Sequence, residues 1–194
     1  MNKKLRILSI CGSPRKGNSE AVLYRLKKIF EKNGTENEII LLRKMNVKRC
    51  DGCVEYCNKK LNCRKKDDMV EIFGKMKNAD GYVFISPNYF KMPAGIFKNF
   101  IDRCSVLYTA QTDLSGKRAI VVAIGADEIK NINICLKNIC DNFCRTLGIP
   151  VVAKKSFRSR SELKGNYNDI FENKLNFGIE KELENMVSKL QKSF

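Results

Sequence analysis

The chain has 194 residues, of which 43% are hydrophobic and 30% are charged. This length and balance are typical of one globular domain with its own core, and they exclude a chain that is disordered throughout. A net charge of +16 would suit a nucleic-acid partner, but the 37 Lys and Arg residues are spread along the chain and no helix-turn-helix, finger or aromatic–basic RNA motif occurs. We therefore expect no nucleic-acid partner, and the same positive field favours an anionic cofactor.

Nine cysteines and the absence of histidine set further limits. Without histidine, neither a Cys–His nor a Ser–His–Asp nucleophile can form. No apolar run approaches the roughly 18 residues that a membrane-spanning helix needs, and the apolar stretch at residues 5–11 is too short for a secretory signal. We expect a cytoplasmic protein without a membrane anchor, and its odd number of cysteines argues against a disulfide framework.

In chain order, short apolar runs alternate with longer amphipathic segments. The short runs are mostly rich in Val and Ile, as strands buried on both faces are, and predict strands at residues 5–11, 39–42, 82–85, 119–125 and 151–153. The longer segments repeat apolar residues every three or four positions and predict helices at residues 21–32, 67–77, 96–108 and 132–147, with a final helix at about 167–190. This alternation predicts an α/β fold with a five-stranded parallel sheet covered by helices on both faces, as one domain over residues 1–194.

Two polar segments interrupt this alternation. Residues 50–66 contain four cysteines, and we interpret them as an insertion after the second strand. Residues 158–166 are predicted to form a mobile loop. Ligands of such sheets bind beyond the carboxyl ends of the strands, so the segments that follow the strands are the candidates for a site.

The first predicted strand runs directly into Gly-Ser-Pro-Arg-Lys-Gly-Asn-Ser at residues 12–19, and a helix follows. The amides and positive dipole at a helix start bind anions, and Ser13, Arg15, Asn18 and Ser19 add hydrogen-bond donors. The spacing approaches that of a P-loop, but Asn18 stands where that motif needs the lysine that reaches the terminal phosphates. We therefore favour a single phosphate, as in a mononucleotide, over a triphosphate or an ordinary polar turn.

A second segment follows the third predicted strand. It reads Ser-Pro-Asn-Tyr-Phe-Lys-Met-Pro-Ala at residues 86–94, and Phe-Lys-Asn-Phe-Ile-Asp-Arg follows at residues 97–103. An aromatic side chain here can face a flat cofactor, although Tyr89 or Phe90 could instead cap the core. We favour the cofactor because the phosphate turn lies on a neighbouring strand. The Asp-Arg pair that ends the second stretch is assigned to a structural or subunit contact.

These segments resemble those of the flavodoxin-like NADPH-dependent flavin mononucleotide (FMN) reductases, whose phosphate loop reads Gly-Ser-x-Arg-x-x-Ser/Asn-Ser/Thr. The resemblance spans roughly residues 5–150 and implies a flavodoxin-like three-layer sandwich. It also implies an enzyme that passes electrons from NAD(P)H through FMN to an acceptor, with no catalytic side chain required because the flavin supplies the chemistry. By position it assigns the phosphate to Ser13, Arg15, Asn18 and Ser19, and the flavin ring to Pro87, Asn88, Tyr89, Phe90, Gly125 and Ala126.

Four cysteines follow the second predicted strand with the spacing Cys50-x₂-Cys53-x₃-Cys57-x₅-Cys63. Compact thiolate ligands are typical of an iron–sulfur cluster or a tetrahedral zinc site. The arrangement resembles that of the iron–sulfur flavoproteins, a branch of the same superfamily with a 4Fe–4S cluster beside FMN and the motif Cys-x₂-Cys-x₂-Cys-x₅-Cys. This chain has one additional residue between the second and third cysteines. A 4Fe–4S cluster, zinc, and free or redox-active thiols are all retained as alternatives.

The resemblance also implies partners: a small-molecule or ferredoxin-like electron acceptor, and a homodimer or a dimer of dimers. The main alternative function is a non-enzymatic electron carrier like a flavodoxin, which the basic charge disfavours. A basic, metal-binding interaction module is a second alternative. The remaining cysteines lie in apolar patterns and are predicted to be buried: Cys11, Cys104, Cys135, Cys140 and Cys144.

Overall fold

The structure is a computed structural model, and it describes residues 4–159, 169–172 and 176–194. The strands are β1 (Arg6–Cys11), β2 (Glu36–Leu41), β3 (Gly81–Tyr89), β4 (Met92–Pro93), β5 (Arg118–Gly125) and β6 (Val151–Arg158). The helices are α1 (Asn18–Lys32), α2 (Val54–Lys60), α3 (Met69–Asn78), α4 (Gly95–Arg103), α5 (Ser105–Thr109), α6 (Ile129–Lys137) and α7 (Ile179–Gln191). There are also 3₁₀ turns at Leu42–Lys44 and Asp169–Phe171 and a π-helical segment at Asn138–Cys144.

Five strands form a parallel sheet in the order β2-β1-β3-β5-β6, and β4 pairs antiparallel with the end of β3. The direction of strand succession reverses between β1 and β3, as in doubly wound sheets of the flavodoxin type. The predicted fold class is therefore confirmed. The short strand β4 was not predicted, because two residues carry no alternating pattern.

The boundaries of several elements differ from the prediction. β6 continues to Arg158, beyond its predicted end at residue 153. The prediction is too short because β6 is an edge strand, in which Lys154 and Lys155 interrupt the apolar pattern. The single helix predicted at residues 96–108 is two helices, α4 and α5, which meet at Cys104. The helix predicted at 132–147 begins earlier and becomes π-helical after Lys137. Helix α2, for which no prediction was made, lies inside the segment predicted to be a polar, Cys-rich insertion.

The prediction for the C-terminal helix is wrong at its start. α7 begins at Ile179, directly after Gly178, whose φ is +76°. A residue in the left-handed region cannot continue a right-handed helix, so Gly178 separates α7 from the 3₁₀ turn at Asp169–Phe171. The loop predicted at 158–166 falls mostly outside the described residues, which place Arg158 in β6 and end at Ser159 in this region.

Apolar clusters cover both faces of the sheet, as a three-layer sandwich requires. Helices α1 and α7 pack on one face, and α3, α4, α5 and α6 pack on the other, where neighbouring rings of Phe84, Phe97, Phe100 and Phe143 have centroids 5.3 to 6.3 Å apart. The five cysteines predicted to be buried are buried, and burial raises the pKa of Cys135 to about 12. Within the described ranges, no helix is long and apolar enough to cross a membrane.

The end of β1 lies unusually close to α4. A Cβ atom added to Gly12 would lie 2.4 Å from Cβ of Phe97, and the Gly12 N–H donates a hydrogen bond to the Ile85 carbonyl at 2.8 Å. Only glycine fits between the strand and this helix. The residue that opens the predicted phosphate turn is thus fixed from one side by the core and from the other by β3.

Replacing Gly12 with alanine should lower the free energy of unfolding by about 1–3 kcal/mol, because Phe97 is fully buried and has no space into which to move. Gly74→Ala in α3 is the matched control, because no atom lies within 4 Å of a Cβ added there. Alanine in place of glycine in a helix should raise the free energy of unfolding by about 0.5–1 kcal/mol. Urea denaturation measures both changes. Equal stabilities of the two variants would contradict a tight contact at Gly12.

Candidate cofactor site

A cavity of about 460 Å³ opens at the carboxyl edge of the sheet. Its walls come from the carboxyl ends of β3 and β5 and from the residues that follow β1, β3, β5 and β6, at the point where the strand order reverses. Its size is that of a small-molecule or cofactor site. All ten cofactor residues predicted from the sequence line it: Ser13, Arg15, Asn18, Ser19, Pro87, Asn88, Tyr89, Phe90, Gly125 and Ala126.

Four further residues line the cavity: Gly17, which lies inside the predicted phosphate turn, and Ile124, Asp127 and Ser159, which sequence reasoning missed. Ser159 follows β6, and it would have been found had the end of that edge strand been predicted correctly. Asp127 follows β5, where its carboxylate accepts hydrogen bonds from Asn131 Nδ2 at 3.0 Å and from the Glu128 N–H at 2.7 Å. These hydrogen bonds lower the pKa of Asp127, so the cavity lining includes a negatively charged carboxylate.

A hydrogen bond within the turn after β1 stabilises it. Ser13 Oγ donates to the Arg15 carbonyl at 2.8 Å. Helix α1 starts at Asn18 beside the cavity, and none of the described side chains caps its first turn. The positive end of the α1 dipole therefore lies at the cavity wall. Glu20 in this first turn is buried, and Arg43 compensates its charge through two hydrogen bonds of 3.1 Å.

The segment after β3 forms a tight hairpin at the cavity. Tyr89 pairs with Met92, and the two residues between them, Phe90 and Lys91, have φ values of +52° and +65°. Such conformations cost non-glycine residues about 1–3 kcal/mol each, and they concentrate at functional sites. Asn138 Nδ2 donates to the Lys91 carbonyl at 3.1 Å and supports the turn from the π-helical segment.

The hairpin exposes its aromatic side chains. Phe90 is 98% exposed and Tyr89 is 42% exposed, although both line the cavity. Neither Tyr89 nor Phe90 caps the core, so that alternative is wrong. Two apolar rings held at the mouth of a cavity by a strained turn form a surface suited to a flat aromatic ligand.

The wall formed by the end of β3 contains an unsatisfied acceptor. Asn88 Oδ1 is buried and, among the described residues, receives no hydrogen bond. Asn88 packs closely on β5, since a Cβ added to Gly125 would lie 3.0 Å from the Asn88 Cβ. A buried carbonyl oxygen without a donor is costly, so a ligand N–H would be favoured here. The pyrimidine part of a flavin ring carries such an N–H, so this wall fits FMN.

The four cysteines of the inserted segment lie near one another without forming a ready-made metal site. Cys50, Cys53, Cys57 and Cys63 are all partly buried. Burial, hydrogen-bond contact with Cys53 and the proximity of the other two thiols raise the pKa of Cys57. Among the described residues, however, no three or more Cys, Asp or Glu side chains are arranged to hold a metal ion.

A buried ion pair closes the base of the Cys-rich segment. Arg103 donates to the two carboxylate oxygens of Asp67 at 2.6 and 2.9 Å and to the Lys48 carbonyl at 2.9 Å, and Asp67 accepts the Lys48 N–H at 2.9 Å. The two charged side chains are 1% and 0% exposed. Since Lys48 precedes the four cysteines and Asp67 follows them, the pair joins both ends of the segment to α4. The structural role predicted for Arg103 agrees with these contacts.

Residues 5–159 match the family model described as NADPH-dependent FMN reductase, and this range contains every residue that lines the cavity. The chain belongs to this family. Its amino-acid sequence is 32% identical over 167 residues to an iron–sulfur flavoprotein of Archaeoglobus fulgidus, covering 82% of this chain and 85% of that one. It is 33% identical over 150 residues to an iron–sulfur flavoprotein of Methanocaldococcus jannaschii, covering 76% and 75%.

Solved structures agree on the fold. An NAD(P)H:quinone oxidoreductase from Methanothermobacter marburgensis superposes with a TM-score of 0.71 at 14% identity, covering 96% of this chain and 94% of that one. At this level of identity the match carries information on the fold alone. Together with the family match, the predicted resemblance is confirmed: the chain is an oxidoreductase of the FMN reductase family, in its iron–sulfur flavoprotein branch.

Replacing Asp67 with asparagine should lower the free energy of unfolding by about 3–5 kcal/mol, because Arg103 is left buried and without its counter-charge. The matched control is Asp102→Asn, which breaks the exposed pair with Lys98 and should cost less than about 1 kcal/mol. Denaturation of both variants near neutral pH tests this difference. Equal stabilities of the Asp67 variant and the wild type would contradict it.

The effect of Asp67→Asn on stability should depend on pH. Burial alone would raise the pKa of Asp67, but the hydrogen bonds from Arg103 and the Lys48 amide lower it below its ordinary value. A lowered pKa in the folded state means that the carboxylate stabilises the fold above the unfolded value of about 3.9 and loses this contribution as the pH falls through the folded value. The difference in free energy of unfolding between wild type and Asp67→Asn should therefore shrink as the pH falls below about 3.9 and through the folded pKa of Asp67.

Proposed function

We propose that the chain binds FMN in the cavity at the carboxyl edge of the sheet and transfers electrons from NAD(P)H to an acceptor. One observation carries the proposal: a helix-start turn rich in donors, an exposed aromatic hairpin and an unsatisfied buried acceptor line the same cavity. Membership of the FMN reductase family supports the same chemistry.

In this proposal Ser13, Asn18 and Ser19 bind the FMN phosphate, and Arg15 adds a positive charge. The phosphate lies at the start of α1, where the helix dipole stabilises an anion. Arg43 keeps the nearby Glu20 carboxylate from repelling it, through their paired hydrogen bonds. The net charge of +16 adds a long-range attraction for anionic cofactors such as FMN and NAD(P)H.

The ring lies between the hairpin and β5 in this arrangement. Tyr89 and Phe90 flank its faces, Asn88 Oδ1 accepts its N–H, and the glycine at position 125 allows the close approach of the backbone. The flavin, when bound, supplies the hydride and electron chemistry. The chain has to bind and orient it and to leave room for a nicotinamide beside Phe90, so the absence of histidine is compatible with activity. Pro87 and Ala126 complete the proposed ring site.

Anaerobic stopped-flow reduction of the FMN-loaded protein tests this function. We expect one FMN per chain and rapid loss of the visible flavin band with NADPH, NADH or both. A protein that holds FMN but is reduced by neither nucleotide would be an electron carrier, which is the alternative function. A protein that binds no FMN would overturn the proposal.

We propose further that Cys50, Cys53, Cys57 and Cys63 hold a 4Fe–4S cluster. The support is the mutual proximity of the four thiols, a donor set without histidine, and the likeness to proteins named iron–sulfur flavoproteins. A cluster would supply one-electron transfer. Zinc and free thiols are the alternatives, because the side chains as they stand do not form a ligand cage in the described part of the chain.

Iron and acid-labile sulfide in anaerobically purified protein decide between these alternatives. A 4Fe–4S cluster requires about four of each per chain, and Cys53→Ser should abolish both while FMN is retained, since none of the four cysteines lines the cavity. Cys135→Ala, which removes a fully buried thiol outside the segment, is the control and should keep the iron. Full FMN with zinc, or with no metal, would contradict the cluster.

The acceptor and the assembly are also proposals. A small-molecule acceptor would reach the ring beside Phe90. A ferredoxin-like protein would suit the Cys-rich segment, whose exposed side chains include Arg49, Lys59 and Lys60, because acidic proteins are attracted to a basic surface. A homodimer or a dimer of dimers would cover the exposed apolar side chains around the hairpin.

A further inference from the structure

A series of buried and partly buried hydrogen bonds joins the C-terminal part of the chain to the phosphate turn. Asn176 is 8% exposed, and its Nδ2 donates to the carbonyls of Arg158 at 2.7 Å and Ile170 at 3.0 Å. Its Oδ1 accepts the Arg158 N–H at 3.0 Å. Both ends of this one amide are therefore used to join the end of β6 to the 3₁₀ turn at Asp169–Phe171.

Ile170 connects Asn176 to Asn18. Its carbonyl accepts a hydrogen bond from Asn176, its side chain is fully buried in the apolar cluster that includes residues of α1 and α7, and its N–H donates to Asn18 Oδ1 at 3.1 Å. The neighbouring Phe171 is held as well, because the Arg25 guanidinium lies 5.0 Å from the centre of its ring. The peptide group that meets Asn18 is thus fixed on several sides.

The contact with Ile170 determines which way the Asn18 amide faces. A backbone N–H can only donate, so the atom of Asn18 that meets it is the oxygen, and the Nδ2 donor is turned to another side. Asn18 lines the cavity beside Ser13 and Ser19. If the amide turned over, it would present its oxygen to an anion and repel it.

We propose that Asn176 is a positioning residue for phosphate recognition: it holds Ile170, and Ile170 holds Asn18 with its donor directed to the FMN phosphate. The inference rests on the proposed FMN site and adds a selectivity element to it. Both Ile170 and Asn176 lie beyond residues 5–159, the range that matches the family model, so part of the phosphate site is built by the C-terminal segment.

FMN and riboflavin together test this role, because riboflavin has the same ring and lacks the phosphate. A merely structural role for Asn176 would weaken both ligands in parallel. A positioning role weakens FMN selectively. We expect Asn176→Ala to raise the Kd for FMN about tenfold, as the loss of a hydrogen bond to a charged group does, and to leave the Kd for riboflavin unchanged.

The matched control is Gln191→Ala. Gln191 is another C-terminal amide with two side-chain hydrogen bonds, to Asn33 at 3.1 Å and to Thr35 at 2.7 Å, and it does not line the cavity. Its replacement should leave the ratio of the two Kd values at the wild-type value. The ³¹P resonance of bound FMN gives a second readout, which should shift in Asn176→Ala and not in the control.

A parallel loss of FMN and riboflavin, or an unchanged ratio with an unchanged ³¹P resonance, would overturn the inference. If Asn176→Ala does not fold, Asn176→Ser decides, since it keeps a polar group at this buried position, adds no charge, and is too short to hold both Arg158 and Ile170. A selective loss of FMN in that variant supports the inference, and an unchanged ratio overturns it. If wild type binds no FMN at all, the proposed function fails instead, so the two failures are distinguishable.

Discussion

The parallel pairing of β1 with β3 is the constraint on which the candidate site depends. Their register sets Cys11, the last residue of β1, opposite Ile85, and β3 continues beyond this level to Tyr89 at the same edge of the sheet. From there the chain departs to opposite faces, through α1 on one side and α4 on the other. A cavity opens between the departing segments, and Gly12 allows the end of β1 to pack directly against Phe97. The position of the site thus follows from strand order before any particular side chain is considered.

The Cys-rich segment is held by a different interaction. Helix α2 buries none of its side chains, so the segment gains little from hydrophobic packing of its own. The Arg103–Asp67 pair and its bonds to Lys48 instead attach both ends of the segment to α4, which belongs to the core. Four thiols can therefore stay partly exposed and close together on a stable base. This arrangement lets one scaffold combine a flavin-type cavity with a separate redox-capable loop.

Much of this could be predicted from local pattern. The apolar runs of β1, β3 and β5 are buried on both faces, so they stand out in the sequence, and the site residues predicted at and after their carboxyl ends line the cavity. The end of β6 and its neighbour Ser159 were missed because Lys154 and Lys155 make an edge strand read as a loop. The hairpin at Phe90 and Lys91 was not predicted because that turn lacks the usual Asn-Gly signal. The bond between Asn18 and Ile170 joins positions 152 residues apart, and no local pattern reports such a contact.

The account is tested most directly by a crystal structure of the protein with FMN bound. It predicts the phosphate within hydrogen-bonding distance of Ser13, Asn18 and Ser19, and the ring beside Tyr89 and Phe90 with its N–H on Asn88 Oδ1. FMN bound away from the carboxyl edge of the sheet, or bound there with its phosphate remote from residues 12–19, would contradict it.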